Sequence, residues 1–265
     1  MKVAVIQQDI ITADLAANEQ RVQSLLRSAA ACGAQMAVLG EFWNSGFCAE
    51  GFEGIAQKIP GRSSELLRQL AGELDLWIFG GSIAEKKEGR LYNTSFLIDN
   101  KGEITQKYRK VHLFSGGNSE SAYFAGGNEW ALADTPLGKA GMIICFDLFF
   151  PELARNLALR GAKLLVVPAM WPAEYDEGWK TLLRARAIEN SCFVVGCNRV
   201  GKDGVNSYLG GSQIIAPTGE VLLSVGNQEG AFCADLPEGL LEHAQKQATI
   251  PLRRRLLDEI DDNQL

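Results

Sequence analysis

The sequence predicts an α/β protein with mixed sheets, and two observations point to this class. Short apolar runs of strand length alternate with segments whose apolar residues recur at helical spacing, which is typical of a largely parallel sheet. Two turn signals, at 100–102 and 217–219, lie between strand-like runs and indicate hairpins. The 265 residues are 46% hydrophobic, so the chain is long enough to bury a sizeable core.

The first half of the chain is predicted to be strand, helix, strand, helix, strand and then a hairpin. A helix over 16–32 is predicted because its apolar residues recur at helical spacing, and Gly33 ends it. A second helix should begin at a cap formed by Ser63 or Ser64. Strands are predicted at Val3–Gln7, Met36–Leu39, Leu76–Ile83, Leu91–Asp99 and Glu103–Tyr108.

The second half repeats this order, so we expect pseudo-duplicated halves. One helix should begin at Pro151, which suits a first helical position, and end at Gly161, and another should span 176–190. No long linker or low-complexity stretch divides the chain, which predicts a single domain over residues 1–265. Strands are predicted at Met142–Cys145, Leu164–Val167, Phe193–Cys197, Leu209–Ala216, Glu220–Val225 and Ala231–Asp235.

Charge and cysteine content argue against several classes of function. The net charge of −6 comes without a basic stripe, which disfavours a nucleic-acid partner. No apolar run reaches the length of a membrane span, and the N-terminus lacks the features of a signal peptide. The six cysteines form no CxxC pair, and two histidines are too few for a His-rich metal site. We therefore expect a cytoplasmic protein without a membrane partner, a metal or a cofactor.

Three polar residues at predicted strand ends together suit acyl transfer. Cys145 ends an apolar run, which places its thiol at the edge where open α/β sheets bind ligands. Glu41 follows the strand Met36–Leu39 in apolar company, and such surroundings favour a general base. Lys110 follows the first hairpin, where its charge would stabilise a developing oxyanion. A base is needed because little of an ordinary thiol is ionised at neutral pH.

In this order and context, the three residues resemble the catalytic triad of the nitrilase superfamily of carbon–nitrogen hydrolases. The resemblance covers nearly the whole chain, and it implies that Glu41, Lys110 and Cys145 are catalytic. It also implies a second glutamate in the site, which would be Glu120. The matching segments are Val38–Glu41, Tyr92–Thr94, Tyr108–Phe114 and Ile144–Asp147, followed by Pro151 and Glu152.

The resemblance further implies a four-layer α-β-β-α sandwich, an amidase-like activity that needs no metal, and a homodimer or a higher homo-oligomer. The implied reaction converts a small aliphatic amide to a carboxylic acid and ammonia through a thioester on Cys145. Glu41 would serve as the base, while Lys110 and the backbone N–H of Phe146 would hold the oxyanion. The alternatives are a nitrilase, an N-carbamoyl-amine hydrolase, and a catalytically silent binding protein on the same fold.

Two positions depart from the family's pattern. Gly40 stands where a proline usually precedes the triad glutamate. Phe149 stands where members acting on ω-amides of dicarboxylic acids often carry arginine, and phenylalanine has no charge to pair with a substrate carboxylate. We expect Phe146, Phe149, Trp171 and Tyr123 to contact the substrate.

His112 offers another partner for the thiol. A dyad of Cys145 and His112 would resemble that of a thiol protease. In such a dyad Glu41 and Lys110 would have no chemical role, so the sequence favours the glutamate as the base.

Overall fold

The computed structural model describes residues 1–115 and 119–247, and their strands and helices confirm the predicted α/β class. The strands are β1 (Lys2–Gln7), β2 (Met36–Leu39), β3 (Trp77–Phe79), β4 (Ile83–Lys87), β5 (Arg90–Ile98), β6 (Ile104–Arg109), β7 (Ala131–Thr135), β8 (Gly138–Met142), β9 (Leu164–Pro168), β10 (Phe193–Cys197), β11 (Val200–Lys202), β12 (Ser207–Leu209), β13 (Gln213–Ile215), β14 (Val221–Ser224) and β15 (Gly230–Asp235). The helices are α1 (Leu15–Ala31), α2 (Phe52–Ile55), α3 (Arg62–Leu74), α4 (Pro151–Leu159), α5 (Asp176–Asn190) and α6 (Glu238–Gln247). Within the described ranges, no helix combines the length and the apolar character that a membrane crossing requires.

The strands form two mixed sheets that share one order of pairing. In the first sheet β1, β2 and β3 run parallel, and β5 pairs antiparallel with β3. In the second sheet β8, β9 and β10 run parallel, and β13 pairs antiparallel with β10. The strands β15, β4 and β6 extend the first sheet, whereas β7 and β14 extend the second. The repeated order confirms the predicted duplication.

The two sheets pack face to face, and helices cover their outer faces. On β1, Val3 and Val5 join the core between the sheets, whereas Ala4 and Ile6 join the core beneath α1 and α3. This alternation follows from the two-residue period of a strand that is buried on both faces. On the second sheet, a Cβ added to Gly196 would lie 2.7 Å from a side chain of α5. The result is the expected four-layer α-β-β-α sandwich.

One predicted strand, Leu76–Ile83, is two strands in the structure. The strands β3 and β4 pair with successive parts of β5, and Gly80 and Gly81 lie between them. Gly81 has φ +53°, and a Cβ there would lie 2.0 Å from the carbonyl oxygen of Gly40. The interruption therefore lets the chain approach the segment that carries Glu41.

Other boundaries differ from the prediction because tertiary pairing sets them. The predicted strand Leu209–Ala216 is divided, since β12 pairs with β11 in a separate ribbon while β13 belongs to the second sheet. The sequence did not predict β7 or β11. The predicted serine cap of α3 is wrong: Gly61 precedes the helix, and the Ser64 hydroxyl accepts a hydrogen bond from the Gly61 N–H at 2.8 Å.

Candidate active site

Glu41 lies directly beyond β2 and links the ends of two pseudo-equivalent strands. Its N–H donates to the Ala169 carbonyl oxygen at 3.3 Å, and its Oε2 accepts from the Met170 N–H at 2.9 Å. Ala169 and Met170 follow β9 in the second sheet, so both sheets fix the position of this carboxylate. Glu41 is buried, and a buried carboxylate is stable only with such hydrogen bonds.

Lys110 follows β6, and its ammonium group joins two buried carboxylates. Nζ donates to Glu41 Oε1 at 2.8 Å and to Glu120 Oε2 at 2.7 Å. Burial alone would lower the pKa of Lys110, but the negative charges of Glu120 and Glu41 outweigh it and raise the pKa well above its ordinary value. The lysine therefore stays cationic and forms charge-assisted hydrogen bonds with both carboxylates.

Asn93 on β5 completes this polar cluster, although the sequence analysis gave it no role in the site. Its Nδ2 donates to Glu41 Oε1 at 2.8 Å and to Glu120 Oε1 at 2.6 Å, so one side-chain amide bridges both carboxylates. The Asn93 carbonyl oxygen also accepts from the Lys110 N–H at 2.9 Å. The predicted hairpin could have indicated this role, because the register of β5 and β6 places Asn93 beside Lys110.

Glu120 opens a short 3-10 turn, Glu120–Ala122, and is 4% exposed. Its Oε2 accepts a second hydrogen bond from the Phe114 N–H at 3.0 Å. Burial raises the pKa of Glu120; Lys110 opposes that rise, while the charge of Glu41 reinforces it. The pKa of Glu120 is consequently above the ordinary value, and this carboxyl takes up a proton at a higher pH than an exposed glutamate does.

Cys145 begins a 3-10 turn, Cys145–Phe149, and the prediction that it ends a strand is wrong. The strand β8 ends at Met142, and the chain remains extended at Ile144 before it turns. Cys145 itself has φ +45°, a left-handed conformation that is uncommon for a residue with a side chain. Such a local conformation persists only where surrounding structure holds it, and it is frequent at functional sites.

The surroundings of the Cys145 thiol keep it protonated at neutral pH. The residue is partly exposed to a cavity, yet protein encloses its Sγ, and this burial raises the pKa of the thiol well above its ordinary value. The negative charge of Glu41 raises the pKa further, while Lys110 opposes the rise. The Glu41 carboxylate is thus close enough to the thiol to act on its pKa, and it is placed to accept the thiol proton.

Asp147 joins the turn that carries the thiol to the segment that follows β6, and sequence reasoning did not single it out. Its Oδ2 accepts from the Tyr108 hydroxyl at 2.7 Å and from the Ile144 N–H at 2.9 Å. Its Oδ1 accepts from the His112 N–H at 2.9 Å and lies 2.8 Å from His112 Nδ1. Since Asp147 is fully buried, these contacts satisfy a charge that water does not reach.

His112 lies outside the cavity beside Cys145. Its ring stacks on Phe150, with 3.6 Å between the ring centroids and 7° between the planes. Its Nδ1 is directed at Asp147, as described above. This placement gives His112 a structural role and does not favour the dyad of Cys145 and His112.

A cavity of about 730 Å³ opens beside Cys145. Three of the four predicted substrate contacts, Phe146, Phe149 and Trp171, line it. Tyr123 is not a lining residue, and its ring lies 6.2 Å from that of Phe47, which is one. The described lining residues are Thr12, Glu41, Phe42, Phe47, Ala49, Lys110, Phe114, Ser119, Glu120, Cys145, Phe146, Phe149, Met170, Trp171, Pro172, Glu174, Tyr175, Asp203, Gly204, Val205, Asn206 and Tyr208.

Phe146, Phe149 and Trp171 form one continuous surface of the cavity, here called the aromatic wall. The ring centroids of Phe146 and Phe149 are 5.3 Å apart, and Phe149 stacks on Trp171 at 5.2 Å with 17° between the planes. The Trp171 Nε1 donates to the Tyr175 carbonyl oxygen at 2.9 Å, which fixes the indole. The wall begins at the residue after Cys145 and lines the same cavity as the thiol.

Residues 2–245 match the model of one protein family, described as carbon-nitrogen hydrolase. The chain belongs to this family. The match spans both sheets and every residue of the site described above, and it confirms the resemblance drawn from the three motifs.

Relatives of this carbon–nitrogen hydrolase are amidases. The omega-amidase NIT2-B of Xenopus laevis is 36% identical over 252 residues, which cover 92% of this chain and 90% of that protein. The 2-oxoglutaramate amidase of Bacillus subtilis (strain 168) is 37% identical over 220 residues, which cover 83% of each protein. These relatives place the hydrolase in the amidase-like branch of the nitrilase superfamily.

A solved structure adds a chemical observation on a relative. The amidase from Nesterenkonia sp. AN1, a nitrilase-superfamily protein, has a TM-score of 0.85 and 25% identity, and the match covers 96% of this chain and 94% of that one. A glutamate-to-glutamine variant of that amidase shows covalent addition of the acetamide moiety of fluoroacetamide at its active-site cysteine.

Proposed function

We propose that this carbon–nitrogen hydrolase converts small aliphatic amides to carboxylic acids and ammonia through a thioester on Cys145. One observation carries the proposal: the Cys145 thiol lies beside the Glu41 carboxylate, which is itself bonded to the Lys110 ammonium, on the wall of a cavity. Nucleophile, base and cation are thus adjacent where a small substrate has room. The amidase relatives support an amide as the substrate.

The first half-reaction forms the thioester. Glu41 accepts the thiol proton as Sγ attacks the amide carbonyl carbon, and the carbonyl oxygen becomes an oxyanion. Lys110 Nζ has three N–H donors, of which two are bonded to Glu41 and Glu120, so the third stabilises the oxyanion together with the Phe146 backbone N–H. When the carbonyl re-forms, the C–N bond breaks, and protonated Glu41 gives its proton to the leaving nitrogen, which departs as ammonia.

The second half-reaction uses the same groups in reverse. Glu41 accepts a proton from a water molecule that attacks the thioester carbonyl carbon, and Lys110 again stabilises the oxyanion. The carbon–sulfur bond breaks, Glu41 returns the proton to sulfur, and the carboxylic acid leaves. Glu120 assists by holding Lys110 in place, since its carboxylate is one of the two acceptors for that ammonium.

The other candidate reactions share these steps and differ in the substrate. A nitrile or an N-carbamoyl amine would also be attacked by Cys145, whereas a silent binding protein would release no product. The names of the relatives favour the amide among these substrates. Assembly into a homodimer or a higher homo-oligomer stays a prediction, and light scattering of the purified protein tests it.

Ammonia release from a panel of primary amides, nitriles and N-carbamoyl amines tests the proposed reaction. We expect release from amides, together with an acyl adduct on Cys145 in protein quenched during turnover and analysed by mass spectrometry. The buried thiols of Cys192 and Cys197 serve as internal controls, because burial raises the pKa of each to about 12. An adduct on either of them, with Cys145 unmodified, would refute the assignment of the nucleophile.

A further inference from the structure

We infer that the acyl part of the substrate is uncharged and apolar, and that the cavity rejects amides carrying a second, free carboxylate. This inference rests on the proposed amide hydrolysis and narrows its substrate class. It follows from the distribution of charge and of aromatic side chains around the cavity.

The described lining of the cavity offers a carboxylate no cation to pair with. Among the described residues that line it, Lys110 is the only cation, and its Nζ already donates to Glu41 and Glu120. The other charged lining residues, Glu174 and Asp203, are acidic. An anionic substrate would therefore lose its hydration near negative charges, which is unfavourable without a compensating partner.

The negative charge of Asp203 is held in place by the loop that joins β11 to β12. Its Oδ1 accepts from the Val205 N–H at 2.9 Å and the Asn206 N–H at 2.7 Å, and its Oδ2 accepts from the Tyr208 hydroxyl at 2.6 Å. Burial opposes ionisation, yet these hydrogen bonds and the positive charge of Arg199 hold the pKa of Asp203 below its ordinary value. This loop therefore presents an ionised carboxylate on its side of the cavity at neutral pH.

A second cation, Arg199, lies behind the cavity lining and has other partners. Its guanidinium stacks on the Tyr208 ring at 4.4 Å, and Arg199 is 1% exposed. It donates to the carbonyl oxygens of Ile10 at 2.8 Å and Val200 at 3.2 Å. Tyr208 lines the cavity and Arg199 does not, so the guanidinium is not placed to bond directly to a carboxylate there.

The aromatic wall suits the opposite kind of acyl group. Phe146, Phe149 and Trp171 line the same cavity as the reacting thiol, and Met170 and Pro172 add to its apolar lining. An alkyl or aryl chain bound there loses contact with water at no cost in unpaired polar groups. The wall therefore selects for apolar acyl groups, while the acidic residues select against anions.

The inference separates this chain from one of its relatives. 2-Oxoglutaramate, which appears in the name of the Bacillus subtilis amidase, carries a free carboxylate in addition to its amide. In the described cavity lining, Lys110 is the one cation: two of its donors bond to Glu41 and Glu120, and the third serves the reacting carbonyl oxygen in the proposed reaction, so none is left for that carboxylate.

A matched pair of substrates tests the inference. Glutaramate is a five-carbon monoamide with a terminal carboxylate, and 5-methylhexanamide replaces that carboxylate by an isopropyl group of similar shape. We expect kcat/KM for ammonia release to favour 5-methylhexanamide by at least about 100-fold, because the carboxylate would be buried without a partner. Equal or better turnover of glutaramate would overturn the inference but leave amide hydrolysis intact. If no amide of either type is hydrolysed, the proposed function fails, and the inference fails with it.

Two substitutions of Phe149 test whether the aromatic wall sets the preference for uncharged amides. Phe149 is 46% exposed, so a longer polar side chain there can keep contact with water. Phe149→Arg supplies a guanidinium that pairs with a carboxylate, and we expect the ratio of kcat/KM to shift toward glutaramate by roughly tenfold or more. Phe149→Leu is the matched control and should keep the preference for the neutral amide. An unchanged ratio in Phe149→Arg, with the fold intact by circular dichroism, would show that wall charge does not set selectivity.

Discussion

The two halves of the chain repeat one order of strands but supply different groups to the same cavity. The segment from β1 to the turn before β7 supplies a polar cluster in which every member is buried and bonded to another member. The cluster consists of Glu41, Asn93, Lys110 and Glu120. The segment from β8 onward supplies the Cys145 thiol and the aromatic wall. The first half thus contributes the buried charged cluster, and the second contributes the nucleophile and the aromatic wall.

The ends of β2 and β9 show the difference most directly. Glu41 follows β2, Met170 follows β9, and the Met170 N–H donates to the Glu41 carboxylate. Buried charges require specific partners, whereas an apolar wall requires only shape and contact. Substitutions in the polar cluster should therefore reduce the rate of reaction, and substitutions in the wall should change which substrate reacts.

The largest effect should come from the nucleophile in the second half. Cys145→Ala removes the only thiol that has Glu41 and Lys110 beside it among the described cysteines, so we expect amide hydrolysis to be lost while the thermal unfolding midpoint stays close to that of the wild type. Cys48→Ala is the matched control and should retain activity. Substantial ammonia release by Cys145→Ala would contradict the covalent mechanism.

The next largest effect should come from the base in the polar cluster. Glu41→Gln keeps the shape of the side chain but removes its ability to accept the proton, so we expect kcat/KM to fall by about 10²–10⁴-fold. The same variant should behave differently toward an alkylating agent. The charge of Glu41 raises the pKa of Cys145, so its removal lowers that pKa and should speed alkylation by iodoacetamide at a fixed pH near 8.

Rates of hydrolysis and of alkylation, measured on the same Glu41→Gln preparation, check this pair of expectations. The adduct in the glutamine variant of the Nesterenkonia amidase is consistent with a thiol that still reacts without its glutamate. Slower alkylation in Glu41→Gln would mean that the carboxylate activates the thiol even toward a reactive electrophile.

A smaller effect should follow from replacing Asp147, the buried acid that joins the turn carrying Cys145 to the segment after β6. Asp147→Asn keeps the size but turns one acceptor oxygen into a donor facing existing donors, so we expect a loss in kcat of about 10–100-fold with KM little changed. Asp134→Asn, at an exposed ion pair with Lys139, is the control and should be neutral. Equal losses in the two variants, or a change confined to KM, would argue against a positioning role for Asp147.

The pH profile of kcat/KM should report the protonation of Glu120, whose buried carboxyl group shares the Lys110 ammonium with Glu41. The pKa of Glu120 is raised, and as the pH falls through it the carboxyl gains a proton and loses its charge toward Lys110. The acid limb of kcat/KM should therefore lie above the range of an ordinary glutamate, about 4.3. Glu120→Gln mimics the protonated form, so the contribution of Glu120 to this limb should disappear, the limb that remains should report Glu41, and activity at neutral pH should drop several-fold; a profile identical to the wild type would contradict this.

The smallest effect is expected at His112. His112→Asn keeps a donor for Asp147 and loses only the stacking on Phe150, so we expect less than about a tenfold reduction in kcat/KM. A steady-state assay beside Glu41→Gln gives the comparison. A greater loss in His112→Asn than in Glu41→Gln would restore the histidine as a candidate base.

The sequence by itself determined the elements whose signals are local. The helix Asp176–Asn190 has its predicted bounds, Pro151 begins α4 as expected, and β2 and β10 coincide with their predicted ranges. Apolar periodicity, a proline at the first helical turn and a closing glycine all act within one or two turns of chain, so they can be found without the fold. The motifs likewise gave Glu41, Lys110 and Cys145, and the family resemblance that they carry implied Glu120; the structure brings these four residues together.

Only the tertiary structure decided the features that depend on residues far apart in the chain. The break at Gly80 and Gly81 exists because the chain there meets Gly40, and the roles of Asn93 and Asp147 exist because distant segments direct their donors and acceptors at one another. The acidic character of the outer cavity is also of this kind, since Glu174 follows β9 and Asp203 follows β11, and no local pattern connects either residue to Cys145. Burial and charge pairing are sums over the neighbours in space, and the folded chain alone specifies those neighbours.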